Sequence, residues 1–321
     1  MKIRYRLLVT LLMCQISSPS WATPIVGSLD GWGSNNDGQT TVPAGNDFMA
    51  IAAGDNHCLA LRTDGSLVGW GLNLYGQTTV PAGNDFTAIA ATSHHGLALR
   101  SDGSLVGWGL GGEGQTTVPA GNNFTAIAAG YFHSLALKAD GSLVAWGHNG
   151  GALINVPAGN DFTAIAAGEL HSLALRSDGS LAGWGFDYYG QVTVPAGNNF
   201  TAIATGYTHS LALKADGSLI AWGNNFHGQT DVPAGNDFTA IAAGNYHSLA
   251  LRSNGSLVGW GINGSGQATV PAGNNFAAIA AGGSHSLAIR ANPVPEPGSL
   301  ALFTIGGLAV NRRGRGAMAR S

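Results

Sequence analysis

Three short apolar runs recur in the same order along this chain. In the unit that starts at Phe86 they read FTAIAA, then LALR, then LVGWG. Each run has the length of a strand, and none shows the three- to four-residue spacing of an amphipathic helix. Asp-Gly lies between the second and third runs, which is a strong hairpin signal. A further segment, QTTVP, is expected to add a fourth strand at the outer edge, where a proline is tolerated because an edge strand need not donate every amide. The whole pattern returns every 38 residues, carried by Trp32, Trp70, Trp108, Trp146, Trp184, Trp222 and Trp260, and by His57, His95, His133, His171, His209, His247 and His285. A period of this length belongs to solenoids, propellers and arrays.

A single unit is an antiparallel sheet of three to four strands and cannot bury both of its faces alone. Seven units packed radially can, and the Ala and Gly of the first run permit close approach near an axis. The sequence therefore predicts an all-β fold, a seven-bladed β-propeller over residues 23–292. The chain enters in mid-unit at GSLDGWG, ending at Gly33, and its last repeat stops at Ile289 and Arg290, before a Trp strand of its own. The two incomplete ends are expected to share one blade, so that pairing of the N- and C-terminal strands closes the ring and removes free edges.

Composition agrees with this reading: 45% of the residues are apolar, only 10% are charged and 50 are glycine, which suits short strands and tight turns. The formal net charge of −3 conceals an uneven distribution, because seven of the 14 basic residues sit at the chain ends. Between Thr23 and Asn292 there are 16 acidic and seven basic residues, a balance of −9. An acidic body without clustered Lys and Arg argues against nucleic acid as a partner.

The N-terminus reads MKIRYR, then LLVTLLMC, then a polar stretch ending in Ser20-Trp21-Ala22, the order of a secretory signal peptide over residues 1–22. Cys14 falls within that leader, which leaves Cys58 as the one thiol of the exported chain, without an internal disulfide. Cys58 occupies a position that is Ser in most units and reads as a small packed residue.

The repeated polar residues read as architecture. Equivalent positions about 10 Å from a sevenfold axis lie roughly 9 Å apart, too far to share a metal with bonds of about 2 Å. The seven His are therefore expected to satisfy backbone groups at the start of the second strand, and the Trp to pack between blades. Asp64, Asp102, Asp140, Asp178 and Asp216 precede glycine as turn residues. No nucleophile elbow, zinc motif, phosphate loop or dinucleotide fingerprint occurs, so neither a catalytic set nor a cofactor or metal site is predicted. Four loop carboxylates, Asp55, Glu113, Glu169 and Asp187, keep a polysaccharide hydrolase or lyase open as an alternative.

Divergence between the copies falls in two windows, the pair after the Ala-Ala-Gly strand and the four residues after Trp-Gly. With strands running alternately up and down, both windows emerge on one face, while Asp-Gly and the PAGN link emerge on the other. The variable face carries Tyr75, Tyr131, Phe132, Phe186, Tyr188, Tyr189, Tyr207, Phe226 and Tyr246. Aromatics on loops of a rigid frame suit a protein or sugar partner, and these crowd the stretch from 131 to 246, which predicts an off-centre site. Drift among recently copied units would leave the same aromatics as caps on the blades. The fourth unit has Ala152-Leu153 in place of Gly-Gln, which predicts an irregular outer strand there.

The repeat G-x-x-H-S-L-A-L-[RK]-x-D-G-S-L-x-x-W-G-x-N-x-x-G-Q resembles that of the regulator of chromosome condensation family over about residues 25 to 290. Its shortened form is similar to that of a secreted β-lactamase inhibitor propeller, which keeps an inhibitor role among the alternatives. The resemblance implies the fold; the family's functions are too diverse for it to imply an activity. After Asn292 the chain reads Pro293, then Val294, Pro295, Glu296 and Pro297, then GSLALFTIGGLAV, then Arg312-Arg313-Gly314-Arg315. This tail, residues 293–321, resembles a PEP-CTERM sorting signal. The resemblance implies export across the inner membrane of a Gram-negative bacterium, recognition by an exosortase, and a cell-surface or extracellular destination. Thirteen apolar residues fall short of the roughly 20 needed to span a bilayer, which suits transient membrane contact through the tail.

Overall fold

The computed structural model describes residues 26–292. The leader, residues 23–25 and the sorting tail with Val294, Pro295, Glu296 and Pro297 lie outside them. Among the described residues no helix is long and apolar enough to cross a membrane.

Every unit is an antiparallel triplet. In the first complete one, Phe48–Ala53, His57–Arg62 and Leu67–Gly71 pair in sequence order, and the same triplet starts again at Phe86, Phe124, Phe162, Phe200 and Phe238. A further triplet is assembled from both ends of the described chain: Phe276–Ala281 and His285–Ala291 are joined by Gly27–Gly33, which pairs in register from Gly27 opposite Ala291 to Gly33 opposite His285. First strands of consecutive triplets touch throughout, and Phe276–Ala281 also touches Phe48–Ala53.

The hairpin between second and third strands forms where Asp-Gly predicts it. Gly65 donates its amide to the Arg62 carbonyl (3.0 Å), while the Asp64 carboxylate accepts both the amide (2.9 Å) and the hydroxyl (2.6 Å) of Ser66. Gly65 has φ +82°, and a Cβ there would fall 2.2 Å from the Asn84 carbonyl, so this position needs glycine for its conformation and for its space.

Hydrophobic cores lie between units, not within them. Leu59 and Leu61 of one unit pack with Phe86, Ile89 and Ala98 of the next, and Leu29, Leu287 and Ile289 of the end-built triplet pack with Phe48, Ile51 and Cys58. No unit can therefore bury its apolar face without a neighbour. Each Trp spans such a joint. The Trp70 indole donates to the Gln39 carbonyl (2.9 Å), and Trp32 does the same with Gln267 (2.9 Å).

The structure corrects the expectation of a fourth strand. Units have three strands, and the QTTVP segment is a turn. The buried Gln77 folds its carboxamide back to accept the Tyr75 amide (2.8 Å), while its carbonyl accepts the Trp108 indole (2.9 Å). Those bonds hold the segment over Gly69, whose Cβ would meet the Thr78 carbonyl at 2.7 Å, and leave no ladder to pair.

The histidines are also partnered differently from expectation. They are fully buried, and most reach a side chain of the next unit. His95 Nε2 lies 3.0 Å from Ser134 Oγ, and the Ser134 hydroxyl donates in turn to the Gln115 carbonyl (2.9 Å), so the imidazole must be the donor to Ser134. His133, His171, His209 and His247 meet Ser172, Ser210, Ser248 and Ser286 at 2.7 to 3.0 Å, and the hydroxyls of Ser210, Ser248 and Ser286 donate onward to a backbone carbonyl as Ser134 does. His285 meets Cys58 Sγ at 3.0 Å. His57 has no such partner, since Gly96 stands where the series has Ser and the Trp108 ring fills the place of the missing side chain. Cys58 is thus more than filler, since it takes the serine's role at this joint.

Irregularity in the fourth unit is confined to its loop. The strand Leu143–Gly147 keeps its register, and a single 3-10 turn at Gly150–Ala152 brings Leu153, fully buried, into the place of Gln. Its carbonyl accepts the Trp184 indole (3.0 Å), so the joint survives the substitution.

Candidate functional site

Two backbone patterns build the variable face. The residue after each Trp-Gly donates its amide to the second member of the variable pair in the same unit: Leu72 to Asn56, His148 to Phe132 and Asn224 to Thr208, each at 2.9 Å. This fixes the two divergent loops against each other. Within the longer loop, Asn73 Oδ1 accepts the Thr78 amide (2.9 Å) and its amide group donates to Thr79 Oγ1 (3.1 Å), an arrangement repeated by Asn35, Asn225 and Asn263. Side chains vary on a frame that does not.

In six of the seven pairs, Gly283 being the exception, the first member lines an opening to which all the units contribute. Amides link neighbouring units around it: Tyr131 to Gly168 (3.3 Å), Tyr207 to Asn245 (3.3 Å), Asn245 to Gly282 (3.2 Å) and Gly283 to Gly54 (3.2 Å). The opening has a volume of about 120 Å³, and Asp55, Ser93, Tyr131, Glu169, Tyr207 and Asn245 line it. Asn245 donates to Asp55 Oδ1 (3.2 Å). Burial pushes the Glu169 carboxyl up to about 7, with the Asp55 charge adding to the rise and the Tyr207 hydroxyl opposing it. Burial and then Glu169 hold the Tyr207 hydroxyl well above its ordinary value, and Tyr131 and Tyr246 are raised chiefly by burial. Burial thus favours the neutral form of Glu169 over its carboxylate.

The nine predicted aromatics fall into three groups on this face. Tyr75, Tyr131 and Phe132 join through His94 into a run that ends at His148, with ring centroids 4.3 to 6.0 Å apart. Phe186, Tyr188, Tyr189 and Phe226 form a second run, centroids 4.8 to 6.2 Å apart. Tyr207 and Tyr246 form the third, with His227 against Tyr246. Tyr131 and Tyr207 line the shared opening, so the aromatics reach its centre as well as one flank. The second run is the most open, Tyr188 being 76% and Phe226 79% exposed.

Of the four loop carboxylates, only Asp55 and Glu169 meet at the opening. Glu113 faces His148 (2.9 Å), and Asp187 caps its own loop by accepting the Val192 amide (2.8 Å). Sequence reasoning passed over Ser93, Asn245, His94, His227 and the exposed Leu74. For Ser93 and Asn245 the available signal was positional, the first residue of each variable pair; His94 is the second member of its pair, and Leu74 and His227 stand in the longer loop. Among the described residues no group of three or more His, Cys, Asp or Glu is placed to hold a metal ion.

An all-β array of three-stranded units, stitched by Trp and His and bearing one variable loop face, defines a repeat protein of the propeller class. The RCC1 repeat (regulator of chromosome condensation) matches residues 50–77, 86–115, 124–150, 162–191, 200–229 and 238–267, and the chain belongs to that family. The triplet built from both ends is divided in the sequence and offers no continuous span to match. A PEP-CTERM protein-sorting motif matches residues 293–315 and indicates export and surface association. Prp20p from Saccharomyces cerevisiae shares the fold at 19% identity with a TM-score of 0.72, over 85% of this chain and 93% of that one. Yeast RCC1 in complex with Kap60 gives 18% and 0.70 over 88% and 97%, and human WBSCR16 gives 17% and 0.69 over 83% and 99%. No curated protein sequence matches the chain.

Proposed function

We propose that residues 23–292 form a closed seven-bladed propeller, exported behind the leader of residues 1–22 and sorted through the tail of residues 293–321. It acts as a non-catalytic binding module whose variable loop face takes an extracellular protein or an exopolysaccharide. The seven-position pairing of Gly27–Gly33 with His285–Ala291, and the contact between the first strands of the first and last triplets, support closure. Sorting by an exosortase-type enzyme, with brief membrane contact through the tail, follows from the motif.

One observation carries the binding reading. Among the described residues the exposed large apolar side chains are Leu74, Tyr75, Phe186, Tyr188, Tyr189 and Phe226, and all six stand in the loops after Trp-Gly, on one face. Rigid aromatic anchors on an otherwise polar rim are the usual make-up of an interface centre. A protein that shares this fold, yeast RCC1, is known bound to the protein Kap60. In the test, Tyr188→Ala with Tyr189→Ala weakens partner capture about thirtyfold, the equivalent of about 2 kcal/mol for hot-spot truncation, and leaves the melting temperature in place. Matching alanines at Gly264 and Ser265 serve as the control; equal losses from both pairs would exclude the aromatic site.

A second reading, a polysaccharide-active enzyme, is favoured by the placement of Asp55 and Glu169 at one opening, where burial raises the Glu169 carboxyl. It requires release of reducing ends from exopolysaccharide by the exported protein, abolished by Glu169→Gln.

A further inference from the structure

Positive charge on this molecule is confined to one face, while carboxylates stand on both. All seven Lys and Arg of the described residues, from Arg62 to Arg290, close the second strands on the constant face. Four of them are committed there to aspartates of the PAGN link, as in the pair Arg62–Asp47 (2.6 Å), and five Arg lie over Phe rings at 4.2 to 4.6 Å. The variable face carries Asp37, Asp55, Glu113, Glu169, Asp187 and Asp231, with no Lys or Arg among its described residues. Their partners are mostly neutral: Asn56 donates to Asp37 (2.8 Å), Asn245 to Asp55 and Asn225 to Asp231 (2.8 Å), while Glu113 alone faces a histidine. The carboxylates around these open aromatic rings thus have no Lys or Arg on their own face, and only Glu113 meets a histidine.

Resting on the reading of this face as the binding surface, we propose that its partner is a cationic protein surface. Lys and Arg side chains lie on the rings of Phe186, Tyr188, Tyr189 and Phe226, and one enters the shared opening between Asp55, Glu169, Tyr131 and Tyr207. Complementarity of sign accelerates encounter and rejects polyanions, so an acidic exopolysaccharide is repelled from this face. Aromatic faces attract guanidinium and ammonium groups, Arg above all, and this chain already stacks its own Arg on Phe rings on the opposite side. The opening, at about 120 Å³, is well above the size a single water needs and admits one guanidinium or ammonium head.

The test measures binding of the exported protein to hexa-arginine, hexaglutamate and alginate at low salt. Hexa-arginine is expected to bind, and hexaglutamate and alginate are not. Asp55→Asn with Glu169→Gln is expected to weaken hexa-arginine binding at least tenfold. Asp102→Asn with Asp140→Asn removes the same charge from the constant face, where Asn254 already serves naturally as the turn residue, and is expected to change binding less than twofold. If the mouth variant does not fold, Glu113→Gln on the exposed rim replaces it, with a two- to threefold loss expected. Equal losses from the two faces, alginate binding as tightly as hexa-arginine, or no binding of hexa-arginine would each overturn the proposal. The two readings fail separately. Partner capture that needs Tyr188 and Tyr189 but ignores Asp55, Glu169 and Glu113 leaves the binding face standing without its cationic partner, whereas capture indifferent to the tyrosines removes the face itself.

Discussion

Acid should unfold this protein over a narrow range, because the seven joint histidines are all held neutral. Burial lowers His57, His95, His171, His209 and His247 to about 3, and His133 and His285 to about 4, against an ordinary value of 6.5. The folded values lie below the unfolded one. Their contribution is therefore complete above about 6.5 and is lost as pH falls from there toward 3 to 4. At pH 5 each unfolded imidazole gains about 2 kcal/mol from protonation that its folded counterpart cannot share, and seven together amount to about 14 kcal/mol. That is close to the upper end of the whole stability of an ordinary domain, about 5 to 15 kcal/mol. Glu169, raised in the fold, works in the opposite sense, but it is half exposed and offsets at most about one histidine's share. Urea unfolding followed by Trp fluorescence between pH 8 and pH 5 provides the assay. The midpoint should be flat above pH 7.5 and then fall steeply, with a slope that corresponds to uptake of about seven protons on unfolding. A midpoint unchanged down to pH 5, or a slope of only one or two protons, would refute the reading of these histidines as buried and neutral.

Three further expectations address separate parts of the account. Deleting residues 23 to 33 removes the strand that pairs with His285–Ala291 and should lower the melting temperature by ten degrees or more; a shift of a degree or two would disprove closure. Ser134→Ala leaves His95 without its acceptor and should cost about 1 to 3 kcal/mol in urea unfolding, whereas Cys58→Ser, which restores the residue found in most units, should be neutral or stabilising. In a host with the sorting enzyme, mass spectrometry of the extracellular protein should find residues beyond about Pro297 removed, and an intact Arg320-Ser321 terminus would contradict sorting by cleavage.

The regular features of this chain were legible because they repeat. A 38-residue step exposes the strands, the hairpin glycine and the Trp joint at once, since a residue required at every copy cannot be local accident. Contacts that cross between copies were harder to read. His95 reaches Ser134, one full unit and one residue further on, and nothing in a single unit shows that its buried imidazole needs a hydroxyl from the next. The QTTVP segment looked like an edge strand because its Thr and Val favour one. The buried Gln77 overrides that propensity by spending its carboxamide on the loop and its carbonyl on an indole. The six complete copies covary: Arg ends the second strand where Asp precedes Phe, as at Arg62 and Asp47, and Lys does so where Asn precedes it, as at Lys138 and Asn123, whereas in the end-built triplet Arg290 donates to Asn275 and to Asp30. The aromatics were placed on the correct loops, but not their division between opening and flank. That division depends on which member of each variable pair the inter-unit amide bonds turn inward, a matter of loop geometry and not of residue type.

The central claim is that the variable face is where this protein meets its partner. The most direct measurement places a photo-crosslinking residue at position 188 on that face, or at position 102 on the constant one, in the cell that produces and exports the protein. Irradiation should give one discrete adduct from 188 and none from 102, and the adduct should disappear when hexa-arginine is added in excess. Adducts from 102 with none from 188 would contradict the account.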